Sequence, residues 1–208
     1  MLTQFFSIGI ISILGAMLPG PDFAMVVKNS LLHSRKAGIF TSFGIAAAIL
    51  VHMSYCVLGL AFIISNSLWL FNGIKYVGAS YLIYIGIRSL GAKPASPTAL
   101  SEKVRQTTQS SFVSFRQGFF CNLLNPKATL FFLSIFTVLM KPNTPFWETL
   151  IYALEIISVS IIWFCFLSCI LSHKKIKHIL DKSERAISIL LGVFLIGFGV
   201  VLILVKQG

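Results

Sequence analysis

Six long apolar runs, separated by short polar segments, set the pattern of this chain. They cover residues 3–27, 37–64, 68–87, 117–140, 146–171 and 186–205. Each is near the ~20 residues a helix needs to cross the hydrocarbon of a bilayer. The pattern predicts six transmembrane helices. Two of the runs are interrupted, the first by Pro19-Gly20-Pro21-Asp22 and the fourth by Asn125-Pro126-Lys127. Proline removes a backbone donor and clashes with the preceding turn, so no regular helix continues through either segment. A charge beside broken backbone in an apolar run is doubly expensive, and a chain that keeps one usually uses it.

The segments between the runs differ in kind. Residues 65–67 and 141–145 read as tight turns. Residues 88–116 hold Pro94, Pro97 and many Ser, Thr and Gln residues, the composition of a linker outside the membrane. The chain is therefore expected to be one transmembrane domain. Its first half spans about residues 1–90, its linker about 91–116 and its second half about 117–208.

Composition agrees. Of the 208 residues 56% are hydrophobic and only 11% charged, with six acids in all. A soluble domain carries about 25% charged residues, so this chain lacks the charge to solvate a globular surface. The net charge of +11 would suit nucleic acid, but the basic residues sit in short loops between apolar runs. The segments after the first, third and fifth runs carry thirteen Lys and Arg residues, and the other two carry only Lys141. Basic loops stay in the cytoplasm, so both termini are expected on the periplasmic side. The N-terminal run has no basic flank and no cleavage site, and reads as the first span.

Pro21-Asp22 and Pro126-Lys127 stand half a chain apart, one in each half. Three spans per half give the halves opposite orientations. The expected fold is thus an all-α integral membrane protein of two inverted-topology three-helix repeats, with helices 1 and 4 broken at their prolines. Irregular backbone at membrane depth is tolerated where it lines a cavity or packs in protein. An acid on one break and a base on the other suit a zwitterion, its ammonium facing Asp22 and its carboxylate facing Lys127. Pro21 and Pro126 free backbone groups there, and the Asn122 and Asn125 amides either satisfy those groups or touch substrate. The alternative is an ion pair between Asp22 and Lys127 that pins two helices together.

These segments resemble a known family. Pro19-Gly20-Pro21-Asp22 resembles a signature of the LysE/RhtB family of bacterial amino-acid exporters. Gln117-Gly118-Phe119-Phe120-Cys121-Asn122-Leu123-Leu124-Asn125-Pro126-Lys127-Ala128, with Phe131-Phe132, is similar to the family's fourth-span motif, and Gly78 to Gly86 to its third span. The family's glycine-rich second span is kept only in part: Gly44 is present, but Ala46-Ala47-Ala48 follows. The resemblance covers the whole chain. It implies a secondary-active exporter in the bacterial inner membrane that moves an amino acid or a similar metabolite against protons, with no enzyme activity and no cofactor. Substrate and oligomeric state, a homodimer included, stay open.

Asp22, Glu155 and His52 are the proton-coupling candidates. Glu155 falls some 13 Å into its run at ~1.5 Å per residue, where a carboxylate is costly to keep charged. The bland alternative pairs it with Lys75 or with interfacial water. His52 lies mid-run and either titrates or donates to a neighbouring carbonyl. Lys75 is expected to snorkel outward. Trp69 and Trp147 read as interface anchors, as do Tyr81 and Tyr84 unless they line a cavity.

Two rival functions are weaker. A divalent-metal exporter wants clustered His, Asp, Glu or thiolate ligands, whereas His33, His173 and His178 are scattered in basic loops. An intramembrane thiol–disulfide relay needs facing cysteines, and Cys121 near the second break has no counterpart at the first. Cys165 and Cys169, one helical turn apart, read as packing residues.

Overall fold

The computed structural model describes residues 2–66, 68–91, 109–139, 144–171 and 174–204. Among them are eight helices and no strand: α1 Leu2–Met17, α2 Pro21–Leu32, α3 Arg35–Asn66, α4 Leu68–Leu90, α5 Ser111–Leu123, α6 Pro126–Leu139, α7 Phe146–Ile170 and α8 Lys174–Leu204. Residues 92–108, most of the expected linker, lie outside the described residues, as do Ser67, residues 140–143 and the side chain of Lys75.

Both interrupted runs bend where their prolines stand. α1 and α2 meet at 61° and α5 and α6 at 60°. Each bent pair is apolar and long enough to cross a membrane as one span, and so, singly, are residues Arg35–Gly59 of α3 and all of α7. In α8 the apolar stretch is Ser188–Val201.

Two helices begin earlier than their apolar runs. α5 starts at Ser111, and α8 takes in Lys174, Lys175, Lys177, Lys182 and Arg185, which the sequence reading placed in a loop. The polar residues on the inner face of the first turns of α5 are packed against partners. Ser114 is fully buried, and Gln117 accepts from buried Asn29 of α2 at 2.8 Å and from Gln109 at 3.0 Å. Asn29 also donates to Thr41 of α3 at 2.8 Å. A polar stretch that packs against polar partners keeps its helix, whatever its composition suggests.

The outward face of α7 is more apolar than its buried face. α7 buries Thr149, Tyr152, Ser160 and Ser168 and exposes Leu150, Leu154, Ile162 and Phe166. A helix more polar inside than outside has its apolar face toward lipid.

Contacts between helices fix their directions. Along α1 and α7, Gln4 meets Tyr152 and Gly9 meets Glu155, so the two run parallel. α3 and α5–α6 are also parallel: Thr41 meets Gly118, His52 meets Asn122, and Tyr55 meets Thr129. α3 and α7 run antiparallel: Ser42 meets Ser168, while Ile49 and Ser160, further along α3 and further back along α7, line one cavity. α4 and α8 also run antiparallel, through Ser89–Ser188 and Gly86–Gly192.

The α3–α5 contact is the closest. A methyl on Gly44 would stand 2.8 Å from the Phe119 nitrogen, and one on Gly118 would overlap the Thr41 carbonyl. The partly kept glycine pattern of the second span thus retains the one glycine on which the α5 backbone rests. Ala46 and Ala48 are buried beside it.

Candidate functional site

The two breaks are built alike. Gly20 caps α2, with its carbonyl accepting from Ala24 at 2.9 Å and Pro21 in the first helical position. Asn125 caps α6 in the same way: its carbonyl accepts from Thr129 at 3.1 Å, and Pro126 follows. Proline suits that position because its missing N–H is one the helix start leaves unpaired anyway. The next residue is Asp22 in one case and Lys127 in the other. The two charges therefore occupy equivalent positions on two half-helices.

They are held differently. Asp22 sits in the first turn of α2, where the helix dipole favours an anion. Its Oδ2 accepts from the Asn122 amide at 3.0 Å and from the Asn125 amide at 3.1 Å. Its Oδ1 is buried and has no partner. Lys127 stands at the positive end of α6, a poor place for a cation. Its ammonium donates to the Pro19 carbonyl at 3.2 Å, across to the first break. No hydrogen bond joins the two charges.

Asn125 serves both breaks at once. Its Oδ1 accepts from the Lys127 backbone N–H at 3.0 Å, a side-chain cap, while its amide goes to Asp22. Asn122 is positioned from the other side. Its backbone carbonyl meets His52 Nε2 at 3.2 Å, and His52 Nδ1 meets the Tyr55 hydroxyl. A carbonyl only accepts, so Nε2 carries the proton and Nδ1 takes the tyrosine hydrogen. Both ring nitrogens of His52 are engaged, one on the last turn of α5.

A cavity lies between the breaks. It has about 50 Å³ of room for water centres, enough for a few waters. Among the described residues, Asp22 and Lys127 are its only charged lining residues, with Asn122, Asn125, Gly20 and Pro21 beside them. Phe23, Phe131, Phe132, Phe164 and Ile49 make an apolar wall, and Ser12 and Ser160 bring hydroxyls from α1 and α7. Gly20 gives Lys127 its approach, since a methyl there would stand 3.0 Å from the ammonium.

The other sequence candidates fall away from this cavity. Glu155 lies in the α1–α7 contact, its Oε1 2.8 Å from where a Cβ on Gly9 would stand. Tyr81 and Tyr84 lie on α4 beside each other, and Arg88 donates to the Tyr84 hydroxyl at 3.2 Å. Cys121 stands near Asp22, while Cys56, Cys165 and Cys169 are free thiols elsewhere. Trp69 and Trp147 are exposed. Sequence reasoning missed Ser12, Ser160 and the Pro19 carbonyl: a serine in an apolar run carries no signal of what it faces.

Known proteins give this arrangement a context. The LysE type translocator family matches residues 13–206. The chain is 31% identical to the threonine efflux protein of Salmonella typhi, over 98% of this chain and 99% of that one. It is 31% identical to the leucine efflux protein of Salmonella choleraesuis (strain SC-B67), over 88% and 86%. It is also 32% identical to the uncharacterized membrane protein YrhP of Bacillus subtilis (strain 168), over 88% and 90%. No solved structure matches. With two prolyl breaks facing one cavity and a match over nearly its whole length, the chain belongs to the LysE type translocator family.

Proposed function

We propose that this protein is a secondary-active exporter of a neutral amino acid, working by proton antiport across the bacterial inner membrane. The substrate ammonium faces Asp22 and its carboxylate faces Lys127. Asn122 and Asn125 hold the acid in place, and Pro21 and Pro126 keep the backbone open around the site. One observation carries this reading: equivalent positions of two half-helices present opposite charges to one cavity without spending them on each other. The cavity offers one charge of each sign, the Asn122 and Asn125 amides, and an otherwise apolar and hydroxylic wall. That suits a zwitterion with an uncharged side chain; a basic amino acid would need a second carboxylate. The relatives' printed activities, threonine efflux and leucine efflux, concern neutral amino acids and point the same way.

The architecture in this proposal is six spans in two inverted repeats, about residues 1–90 and 117–208, joined by a cytoplasmic linker, with both termini periplasmic. The alternating helix directions support it. So does the exchange of partners: α3 packs on α5 as α7 packs on α1, and α3 touches α6 as α7 touches α2. A cavity that takes only a few waters must widen to admit an amino acid, which a rocking of one repeat against the other would achieve. Asp22 is the coupling carboxylate, able to hold a proton or the substrate ammonium in turn. His52 positions Asn122.

The test is the intracellular pool of each amino acid in bacterial cells that lack or overproduce the protein. The expected result is a neutral amino acid that accumulates without the protein and is depleted with it. Pools that do not change would overturn the exporter reading.

A further inference from the structure

The α1–α7 contact carries polar groups at two successive places, in a pair of helices otherwise dominated by apolar residues. At one end Tyr152 donates to Gln4 at 3.1 Å. Next, Glu155 lies against Gly9, and a residue with a side chain at position 9 would fill the space its carboxylate uses. About 4.5 Å further along α1, at ~1.5 Å per residue, comes Ser12. It is only 3% exposed, its hydroxyl has no partner, and it lines the cavity. Ser160 of α7 lines the same cavity, with Asp22 among the residues around it.

Two oxygens of this seam, Glu155 Oε2 and Ser12 Oγ, are buried and unpaired, as is Asp22 Oδ1 on the cavity that Ser12 lines. A buried polar atom without a partner costs about 1–3 kcal/mol. One at the carboxylate, one at the candidate site and one at the hydroxyl between them are a costly arrangement for packing alone. Each is a group that can accept a proton or pass one on, and the cavity has room for waters to bridge the steps.

We propose that the α1–α7 seam is the proton route of the exporter, with Glu155 its intermediate proton-binding site and Ser12 the hydroxyl that hands the proton into the cavity beside Asp22. This rests on the antiport reading above. On the orientation given there, the Gln4–Tyr152 end opens to the periplasm. In each step the carboxyl of Glu155 releases its proton to the Ser12 oxygen or a bridging water, which gives up a hydrogen of its own toward Asp22 Oδ1. Glu155 is then a carboxylate, ready for the next proton from outside.

Among the described residues, the groups around Glu155 leave this role open. Its titratable neighbour is Tyr152, one turn away, which also meets Glu148. α1 presents no charged or titratable side chain. On α3, His52 is turned to Asn122 and Tyr55, and on α2 Asp22 stands at the far end of the route.

The experiment uses the purified full chain in proteoliposomes, with labelled threonine and labelled leucine as probes. Two rates are measured: uptake driven by an imposed pH gradient, and counterflow exchange without one. Glu155→Gln is expected to cut gradient-driven uptake at least tenfold and leave counterflow within about twofold of wild type, and Glu155→Asp to restore part of the driven rate. Driven uptake at the wild-type rate in Glu155→Gln would overturn the route, and so would an equal loss of both rates, which marks a structural role. Absence of exchange by the wild type for either probe would instead sink the amino-acid reading, and the route with it. Should Glu155→Gln not fold, carbodiimide labelling of the wild type decides. A hydrophobic carbodiimide is expected to modify Glu155, located by peptide mass spectrometry, and to stop driven uptake; an unmodified Glu155 overturns the proposal.

Discussion

Asp22 and Lys127 stand at the same position of two half-helices, each just after the proline that starts it, and each is braced by the opposite break. The acid takes amides from Asn122 and Asn125, and the base reaches the Pro19 carbonyl. The braces run in both directions, so the two halves share a site that neither could hold alone. A buried charge without its brace is far more costly than the brace is worth in isolation.

Exchanging the charges therefore will not restore function. In the double variant Asp22→Lys with Lys127→Asp, an ammonium would face two amide donors and a carboxylate would face the Pro19 carbonyl. The carboxylate contact becomes repulsive, and the ammonium gains an acceptor only by turning over the amides, which costs α6 its Asn125 cap. Transport of labelled amino acid is expected to stay at background in the double variant, as in Asp22→Asn and Lys127→Ala singly. Recovery to within about twofold of wild type would favour an ion pair over two separately held charges.

Asn125 and Asn122 should differ in what they cost. Asn125→Ala removes a hydrogen bond to a carboxylate and also the cap of α6, roughly 2–4 kcal/mol together. Asn122→Ala removes the carboxylate bond alone, about 1.5–3 kcal/mol, and leaves its backbone contact with His52. Thermal denaturation in detergent is expected to rank Asn125→Ala as the less stable of the two. The reverse order would place the main support of Asp22 elsewhere.

Gly20 is a matter of space. Its φ of −176° is extended backbone that any residue adopts, but a methyl would stand 3.0 Å from the Lys127 ammonium. Gly20→Ala should push the ammonium off the Pro19 carbonyl and raise the KM for transport several-fold, with the amount of protein in the membrane unchanged. An unchanged KM would mean that Lys127 can hold the site from another position.

The apolar helices and the two breaks were legible in the sequence because both are written in single-residue terms: apolar length, proline, and charge where charge is expensive. The residues around the breaks could be named for the same reason. What each one touches could not. That the Lys127 ammonium goes to Pro19 rather than to Asp22 depends on how two bent helices cross, and composition carries no record of that crossing. The start of α5 at Ser111 was hidden because Ser111, Ser114 and Arg116 read as linker chemistry until Gln109 is seen to pair with Ser114. The α1–α7 seam was hidden for the opposite reason. Ser12, Ser160 and Gly9 are small residues in apolar runs, and only their packing lines them up with Glu155.

The central claim is that the two breaks form one site for a zwitterion. Competition tests it most directly, in counterflow of labelled threonine or leucine through proteoliposomes, by the free amino acid, its N-acetyl derivative and its carboxamide. The account predicts that the free amino acid competes and that each blocked derivative competes at least tenfold more weakly, because one loses the charge that faces Asp22 and the other the charge that faces Lys127. Blocked derivatives that compete as well as the free amino acid would contradict it.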